Sequence, residues 1–172
     1  MVIFVAGVHG VGKTYLCQRF SKDSGIKHSS ASSLIREEVK SPNWGSDKLV
    51  SNVDANQIAL TTAVKRILAS ESLLLLDGHF VLKNADGSLA VVHEDTFKNL
   101  SLSAILLIEA SPETIRNRLS ARDSNFSAGN IDAFLSSERE RARYISELLC
   151  IPLTILHAPS DKEFCDTLNT MH

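Results

Sequence analysis

Apolar positions set the order of elements along this chain before any motif is considered. Residues 2–6 run apolar without a break, which reads as a strand buried on both faces. Leu16 and Phe20, with Tyr15 and Arg19 beside them, keep helical spacing, and Gly25 stands where such a helix stops. A short strand over 26–30 follows, then a helix over 33–40 capped by Ser32 or Ser33 and ended by Pro42, which puts Arg36 near the helix start. The segment SPNWGSDKLVSNVD is rich in turn formers and reads as a connection, with Trp44 tucked against the body of the protein. Asp54 then caps a long helix, with Gln57 at the capping-box position and a stripe of Leu60, Val64, Ile67 and Leu68. Four consecutive leucines, 73–76, end in Asp77 and form a second fully buried strand.

In the second half, Asp86-Gly87 between two apolar stretches signals a hairpin, and a short helix over 94–100 leads into a buried strand over 104–108. Ser111-Pro112-Glu113 opens a helix with Ile115 and Leu119 inward, DSNFSAGN forms a loop, and a long helix from Asp132 carries Leu135, Ala142, Ile145 and Leu149. A last strand over 151–157 and a closing helix over 161–171 complete the pattern. Strand and helix alternate throughout, so the expectation is an α/β fold: a five-stranded parallel sheet with right-handed crossovers, helices on both faces and a β-hairpin excursion.

Composition narrows the class without naming a chemistry. The 172 residues suit a single domain, 1–172, and 44% apolar with 22% charged residues is ordinary for a globular chain. A formal net charge of −2 offers no general nucleic-acid surface. Cys17, Cys150 and Cys165 lack metal or disulfide spacing and read as reduced thiols. No long apolar stretch and no basic leader is present, so the expected setting is soluble and cytoplasmic, with no membrane partner.

Chemistry enters between the first strand and the first helix. Gly7 to Thr14 read GVHGVGKT, the pattern G-x-x-x-x-G-K-[ST] of a phosphate loop, in the strand-then-helix context that such a loop needs. His9, Gly10, Val11, Gly12, Lys13, Thr14 and Tyr15 are the expected ATP-binding positions, with backbone amides and the Lys13 ammonium directed at phosphate. Asp77, delivered at the carboxyl edge of a parallel strand, is the expected partner of Thr14 in holding Mg2+ through water. Arg118, Arg122 and one of Arg139, Arg141 and Arg143 are candidates to clamp a transferred phosphoryl group. His9, His28, His79 and His93 show no metal spacing and take no catalytic role.

The succession of GVHGVGKT, HSSASSLIR, LLLLDGHF and PETIRNRLSARD, in that order over nearly the whole chain, resembles the adenylate kinase-like nucleoside monophosphate kinases. The hairpin after Asp77 is most similar to the archaeal and small nuclear adenylate kinase branch. The resemblance implies a P-loop three-layer sandwich with strand order 2-3-1-4-5, an acceptor-binding insertion over 31–70 and a short lid over 122–132 without zinc. It implies Lys13, Arg118, Arg122 and Arg141 as the catalytic set, with Arg36, Lys83 and Asp77 at the acceptor. The implied activity is transfer from magnesium-bound ATP to a nucleoside monophosphate, so nucleotides are the expected partners. Ala31 and Ser32 replace the family's Thr-Gly at the acceptor, and Phe80-Val81 replace a Pro-Arg pair. A kinase acting on a small metabolite or a polynucleotide end, and a slow ATPase or nucleotide-sensing partner protein, are the alternatives.

Overall fold

The computed structural model describes residues 1–40, 52–84, 87–122 and 130–171. Five parallel strands form the sheet: β1 (Val2–Ala6), β2 (Lys27–Ser30), β3 (Leu74–Asp77), β6 (Leu102–Glu109) and β7 (Leu153–His157). The antiparallel pair β4 (Val81–Lys83) and β5 (Leu89–Val91) stands apart as the expected hairpin. Sheet order is β2-β3-β1-β6-β7. Because the hairpin strands intervene in the chain, the anticipated 2-3-1-4-5 becomes 2-3-1-6-7 when every strand is numbered. β1 lies at the centre, paired with β3 and β6, and the registers Val5↔Asp77 and Ser30↔Asp77 bring the carboxyl ends of β1, β2 and β3 to one edge.

Burial follows the apolar runs. All of β1 and residues 74–76 are at most 1% exposed, as strands sandwiched between helical layers must be. β2, reading KHSS, is polar because it is the sheet's edge. The helices are α1 (Lys13–Ser24), α2 (Ala31–Val39), α3 (Asn52–Leu68), α4 (Glu94–Lys98), α5 (Pro112–Arg122), α6 (Ile131–Leu149) and α7 (Asp161–Asn169), on both faces of the sheet. α1 packs on α7 through an edge-to-face contact of Phe20 and Phe164 at 6.3 Å. Phe4, Phe80 and Phe97 form a second cluster, with centroids 4.8–5.5 Å apart, that ties β1 to the hairpin root and α4.

Several boundaries differ from expectation. α2 begins at Ala31, directly after β2, because the Ser30 side chain accepts from the Ser33 amide and acts as the cap. Arg36 therefore sits in the last turn of α2 rather than near its start. α3 starts at Asn52, so Asp54 lies inside it and is not its cap. α6 is capped by Asn130, one residue ahead of its first turn. Trp44, Asp86 and lid residues 123–129 lie outside the described residues.

Candidate functional site

The loop after β1 requires glycine for steric reasons. Gly7, Gly10 and Gly12 have φ of 143°, 88° and 105°, in the left-handed half of conformational space. A Cβ on Gly7 would lie 2.3 Å from the carbonyl oxygen of Ile108 on β6. Gly12 is the cap of α1 and supplies no side-chain acceptor, so the first N–H groups of the helix depend on an external one. An anion fits that need.

Lys13, the first residue of α1, is 6% exposed. Its Nζ donates to the carbonyls of Gly7 at 2.6 Å and Val8 at 3.2 Å, so the loop closes on its own cation. Burial pulls its pKa down from 10.5 to about 8, opposed by the charges of Glu138 and Asp77. The ammonium bonds carbonyl dipoles directly while Glu138 and Asp77 act on it as charges without a hydrogen bond, so its donors are free to exchange those carbonyls for phosphate oxygens.

Behind the loop lies a residue that sequence reasoning missed. Glu138 of α6 is 1% exposed, and its carboxylate accepts from the amides of Gly7 (3.1 Å), Phe80 (3.0 and 3.1 Å) and Val81 (2.8 Å). One carboxylate thereby joins the first loop residue to the segment following Asp77. Burial pushes its pKa up, while those amides and Lys13 pull it down. The signal was a charge on an apolar stripe. The buried positions of α6 are Ile131, Phe134, Glu138, Ala142 and Ile145, and Glu138 occupies the middle of that row. The expected stripe ran through Leu135 and Leu149, which are only half-buried.

Asp77 lies beside the loop. Thr14 Oγ1 is 3.5 Å from Asp77 Oδ1, and the carboxylate is 5% exposed. These oxygens, a hydroxyl beside an acid at the helix start, suit a hard cation bound through water. The other carboxylate oxygen, Oδ2, meets His28 Nε2 at 2.7 Å, a contact the histidine spacing did not reveal. Cys17 lies on the same side, its thiol pushed well up by burial and so inert as a nucleophile. His9 stacks on His79 with centroids 4.1 Å apart. Burial, Lys13 and His9 hold His79 neutral, with a pKa down at about 2. Its Nδ1 has no hydrogen-bond partner among the described residues.

The cations distribute unevenly. Arg118 Nη1 donates to the carbonyls of Gly10 (3.1 Å) and Val11 (2.8 Å), so α5 places it over the loop. Arg122 ends α5, and its side chain lies outside the described residues. Arg141 donates to the Val92 carbonyl at 3.0 Å and its guanidinium lies 4.6 Å from the Tyr144 ring centroid, beside the hairpin. Arg139 makes a two-pronged pair with buried Glu109, both contacts 2.6 Å. Neither therefore bonds the phosphate loop in this arrangement. Tyr15 is exposed, its hydroxyl on Asp161 of α7.

Next to Thr14 a cleft of about 460 Å3 is lined by His28, Ser30, Ser33, Glu37 and Arg66, among others. Arg36, the expected acceptor hook, is exposed and does not line it; Arg66 of α3 does, paired with Glu38 at 2.7 Å. Lys83 lines a separate groove of about 260 Å3 between the hairpin and the start of α6, with Leu89, Asn130 and Phe134. Asp77 contacts two residues that line the cleft, Thr14 and His28, whereas Arg36 and Lys83 stand at two different places. Among the described residues, no helix is long and apolar enough to cross a membrane.

A family model described as an AAA domain matches residues 6–134. Adenylate kinase of Thermoplasma acidophilum is 30% identical over 121 residues, covering 66% of this chain and 63% of that protein. Adenylate kinase isoenzyme 1 of Rattus norvegicus is 26% identical over 133 residues, covering 76% and 68%. The chain thus spans less than two thirds of the archaeal relative's length. Among solved structures, the YorR protein of Bacillus subtilis in complex with phosphorylated GDP aligns with a TM-score of 0.60 at 16% identity, over 99% of this chain and 94% of that one. A sugar kinase from a Janibacter species aligns with a TM-score of 0.55 at 13% identity, over 99% and 92%. Those two show the shared fold. The matched span, which includes the loop, Asp77 and Arg118, agrees with the sheet order, and the chain belongs to the AAA-domain family of P-loop proteins.

Proposed function

We propose that this chain transfers a phosphoryl group from magnesium-bound ATP to a nucleoside monophosphate. The observation that carries the proposal is the phosphate loop opening onto a cleft. Thr14, the last loop residue, lines that cleft together with Ser30, Ser33 and Arg66; Lys13 precedes it on α1, and Asp77 lies 3.5 Å from its hydroxyl. The relatives named adenylate kinase support the same reading.

In this mechanism the glycine loop wraps the donor phosphates with its amides, and Lys13 exchanges the Gly7 and Val8 carbonyls for phosphate oxygens. Thr14 and Asp77 would hold Mg2+, which neutralises charge on the donor phosphates when bound. Arg118 leaves the loop carbonyls to meet charge on the transferred group, joined by Arg122 from the end of α5. Arg66 and Lys27, the cations that line the cleft, would meet the acceptor phosphate, with Arg36 and Lys83 in outer positions. Arg141 would have to leave the Val92 carbonyl to reach the reacting phosphate. No strong general base is required when the accepting oxygen already belongs to a phosphate. The test is a panel of common nucleoside monophosphates with Mg-ATP, read as diphosphate formed. One monophosphate should turn over, and Lys13→Ala should abolish the transfer. Failure of every monophosphate would overturn the nucleotide acceptor.

A second reading, a kinase for a hydroxyl-bearing small metabolite, draws on the cleft itself. Ser29, Ser30, Ser33 and Glu37 supply hydroxyls and a carboxylate beside the two cations Lys27 and Arg66. Turnover with such an acceptor but with no monophosphate would favour it. ATP hydrolysis that no acceptor stimulates would instead favour an ATPase or sensor.

A further inference from the structure

Three side chains distant in sequence converge beside the loop: Cys17 from α1, His28 from β2 and Asp77 at the end of β3. A thiol sulfur, an imidazole nitrogen and a carboxylate oxygen lie within 4.8 Å of one another. Asp77 uses its two oxygens on different neighbours. Oδ1 is 3.5 Å from the Thr14 hydroxyl, whereas Oδ2 is 2.7 Å from His28 Nε2. Oδ1 therefore faces a hydroxyl and Oδ2 an imidazole nitrogen, and the Cys17 sulfur lies within 4.8 Å of the imidazole nitrogen and of a carboxylate oxygen.

We propose that Cys17, His28 and Asp77 form a binding site for a borderline-soft divalent cation, zinc above all, separate in ligand chemistry from the magnesium position at Thr14. Hard cations such as magnesium take oxygen ligands and have no use for a thiolate or an imidazole. Zinc takes sulfur at about 2.3 Å, and nitrogen or carboxylate oxygen at about 2.0–2.2 Å, in a tetrahedron. Those lengths put neighbouring ligand atoms roughly 3.3–3.6 Å apart. The His28–Asp77 contact must therefore open by about half an ångström, and Cys17 must close within the 4.8 Å span already present. Three protein ligands leave a fourth position open, as in zinc sites that bind water or substrate. The cation enters through the cleft beside Thr14, which His28 lines. The His28 side chain is 9% exposed and lines that cleft, which gives the site its opening for exchange.

Binding must balance in protons. The Cys17 thiol gives its proton to solvent as its sulfur bonds the metal. The imidazole proton on Nε2 passes to Nδ1, freeing the Nε2 lone pair. One proton is released per cation. Zinc on Oδ2 also competes for the carboxylate that faces Thr14, so the site would antagonise magnesium-dependent nucleotide binding. Only this consequence rests on the proposed kinase activity, and the site itself is tested without nucleotide.

The experiment uses the full chain carrying Cys150→Ser and Cys165→Ser, so that Cys17 is the sole thiol. Titration with cobalt(II) should produce a thiolate-to-cobalt charge-transfer band in the near ultraviolet, saturating at one cobalt per chain. Zinc should bleach it and millimolar magnesium should not. In the same background His28→Gln should weaken cobalt binding by at least an order of magnitude while keeping the band, and Cys17→Ser should lose it. Melting curves accompany each variant. If buried Cys17→Ser fails to fold, the cobalt titrations of the Cys17-only chain and its His28→Gln variant decide. Absence of the band in the folded Cys17-only chain, or unchanged affinity in His28→Gln, overturns the site.

Discussion

Glu138→Gln is the sharpest test of how the phosphate loop is held. The wild-type carboxylate accepts from three buried amides, of Gly7, Phe80 and Val81, at 2.8–3.1 Å. Glutamine keeps the volume but replaces one acceptor oxygen with an NH2 group that donates. At least one amide then faces a donor. Leaving a buried amide unsatisfied costs about 1–3 kcal/mol, and weakening the remaining charge-assisted bonds adds roughly 1 kcal/mol. The sum of about 2–4 kcal/mol is a large share of a typical domain's stability, and at about 2–4 °C per kcal/mol for this chain length it lowers Tm by roughly 5–15 °C.

The same substitution acts on Lys13. Glu138 is the foremost charge opposing the burial that brings Lys13 from 10.5 to about 8. Without it the value falls further. Between about 8 and 10.5 the folded wild type binds fewer protons than the unfolded chain, so its stability rises with pH across that window and the cost of the buried ammonium is carried in full below it. In the variant the window extends to lower pH, and Lys13 loses its proton nearer neutrality. Melting curves at pH 7, 8 and 9, with and without Mg-ATP, read both effects. A variant that melts within 1–2 °C of wild type, with the same pH profile and the same nucleotide-induced shift, would refute the view that Glu138 holds the loop.

Gly7→Ala should cost more than about 3 kcal/mol, because a Cβ there meets a backbone oxygen at 2.3 Å, whereas Gly25→Ala, with φ of 75° and open space around it, should cost only about 1 kcal/mol; urea titration ranks them, and the reverse order would contradict the loop geometry. Mg-ATP binding at pH 8 should take up about half a proton, since Lys13 is about half protonated before binding and fully so beside phosphate; calorimetry in two buffers of different ionisation enthalpy measures it, and zero uptake at pH 8 would count against the buried ammonium. Arg118→Ala should leave Tm within about 2 °C, because the side chain is exposed, yet lower kcat by roughly 100- to 1000-fold; an unchanged kcat would remove Arg118 from the reaction.

Local patterns carried the fold because its decisive elements are local. Residues 2–6 and 73–76 are unbroken apolar runs, and the glycine loop has a fixed spacing, so strand, loop and helix were legible without tertiary information. The start of α2 was not, because Ser30 is both the last residue of β2 and the helix cap, leaving no linker for a pattern to mark. That shift moved Arg36 into the last turn, and Arg66, 28 residues from its partner Glu38, took the place beside the cleft. Glu138 was hidden for a different reason. Periodicity treats a charge as an outward position, and it is three amides contributed by two distant segments, with the Lys13 charge, that offset its burial. The His28–Asp77 contact spans 49 residues and depends on β2 and β3 pairing in register, which no spacing rule encodes.

The loop's present contacts also constrain where its affinity arises. Lys13 rests on the carbonyls of Gly7 and Val8, and Arg118 on those of Gly10 and Val11. A phosphate that draws either cation away replaces hydrogen bonds rather than adding them, so the net gain from bond count alone is small. What changes is charge. Lys13 exchanges neutral dipoles for an anion in a site where burial has already depressed its pKa, and the recovered stabilisation scales with that depression. Glu138 sets the opposite limit, since a negative charge so close keeps Lys13 protonated at neutral pH but also repels phosphate. Glu138 is the larger of the two buried carboxylate charges acting on Lys13, ahead of Asp77, and moving Lys13 alone cannot reproduce the effect of moving Glu138. A double-mutant cycle of Lys13→Met and Glu138→Gln on stability should show coupling of at least about 0.5 kcal/mol, and additivity would place the two residues in independent roles.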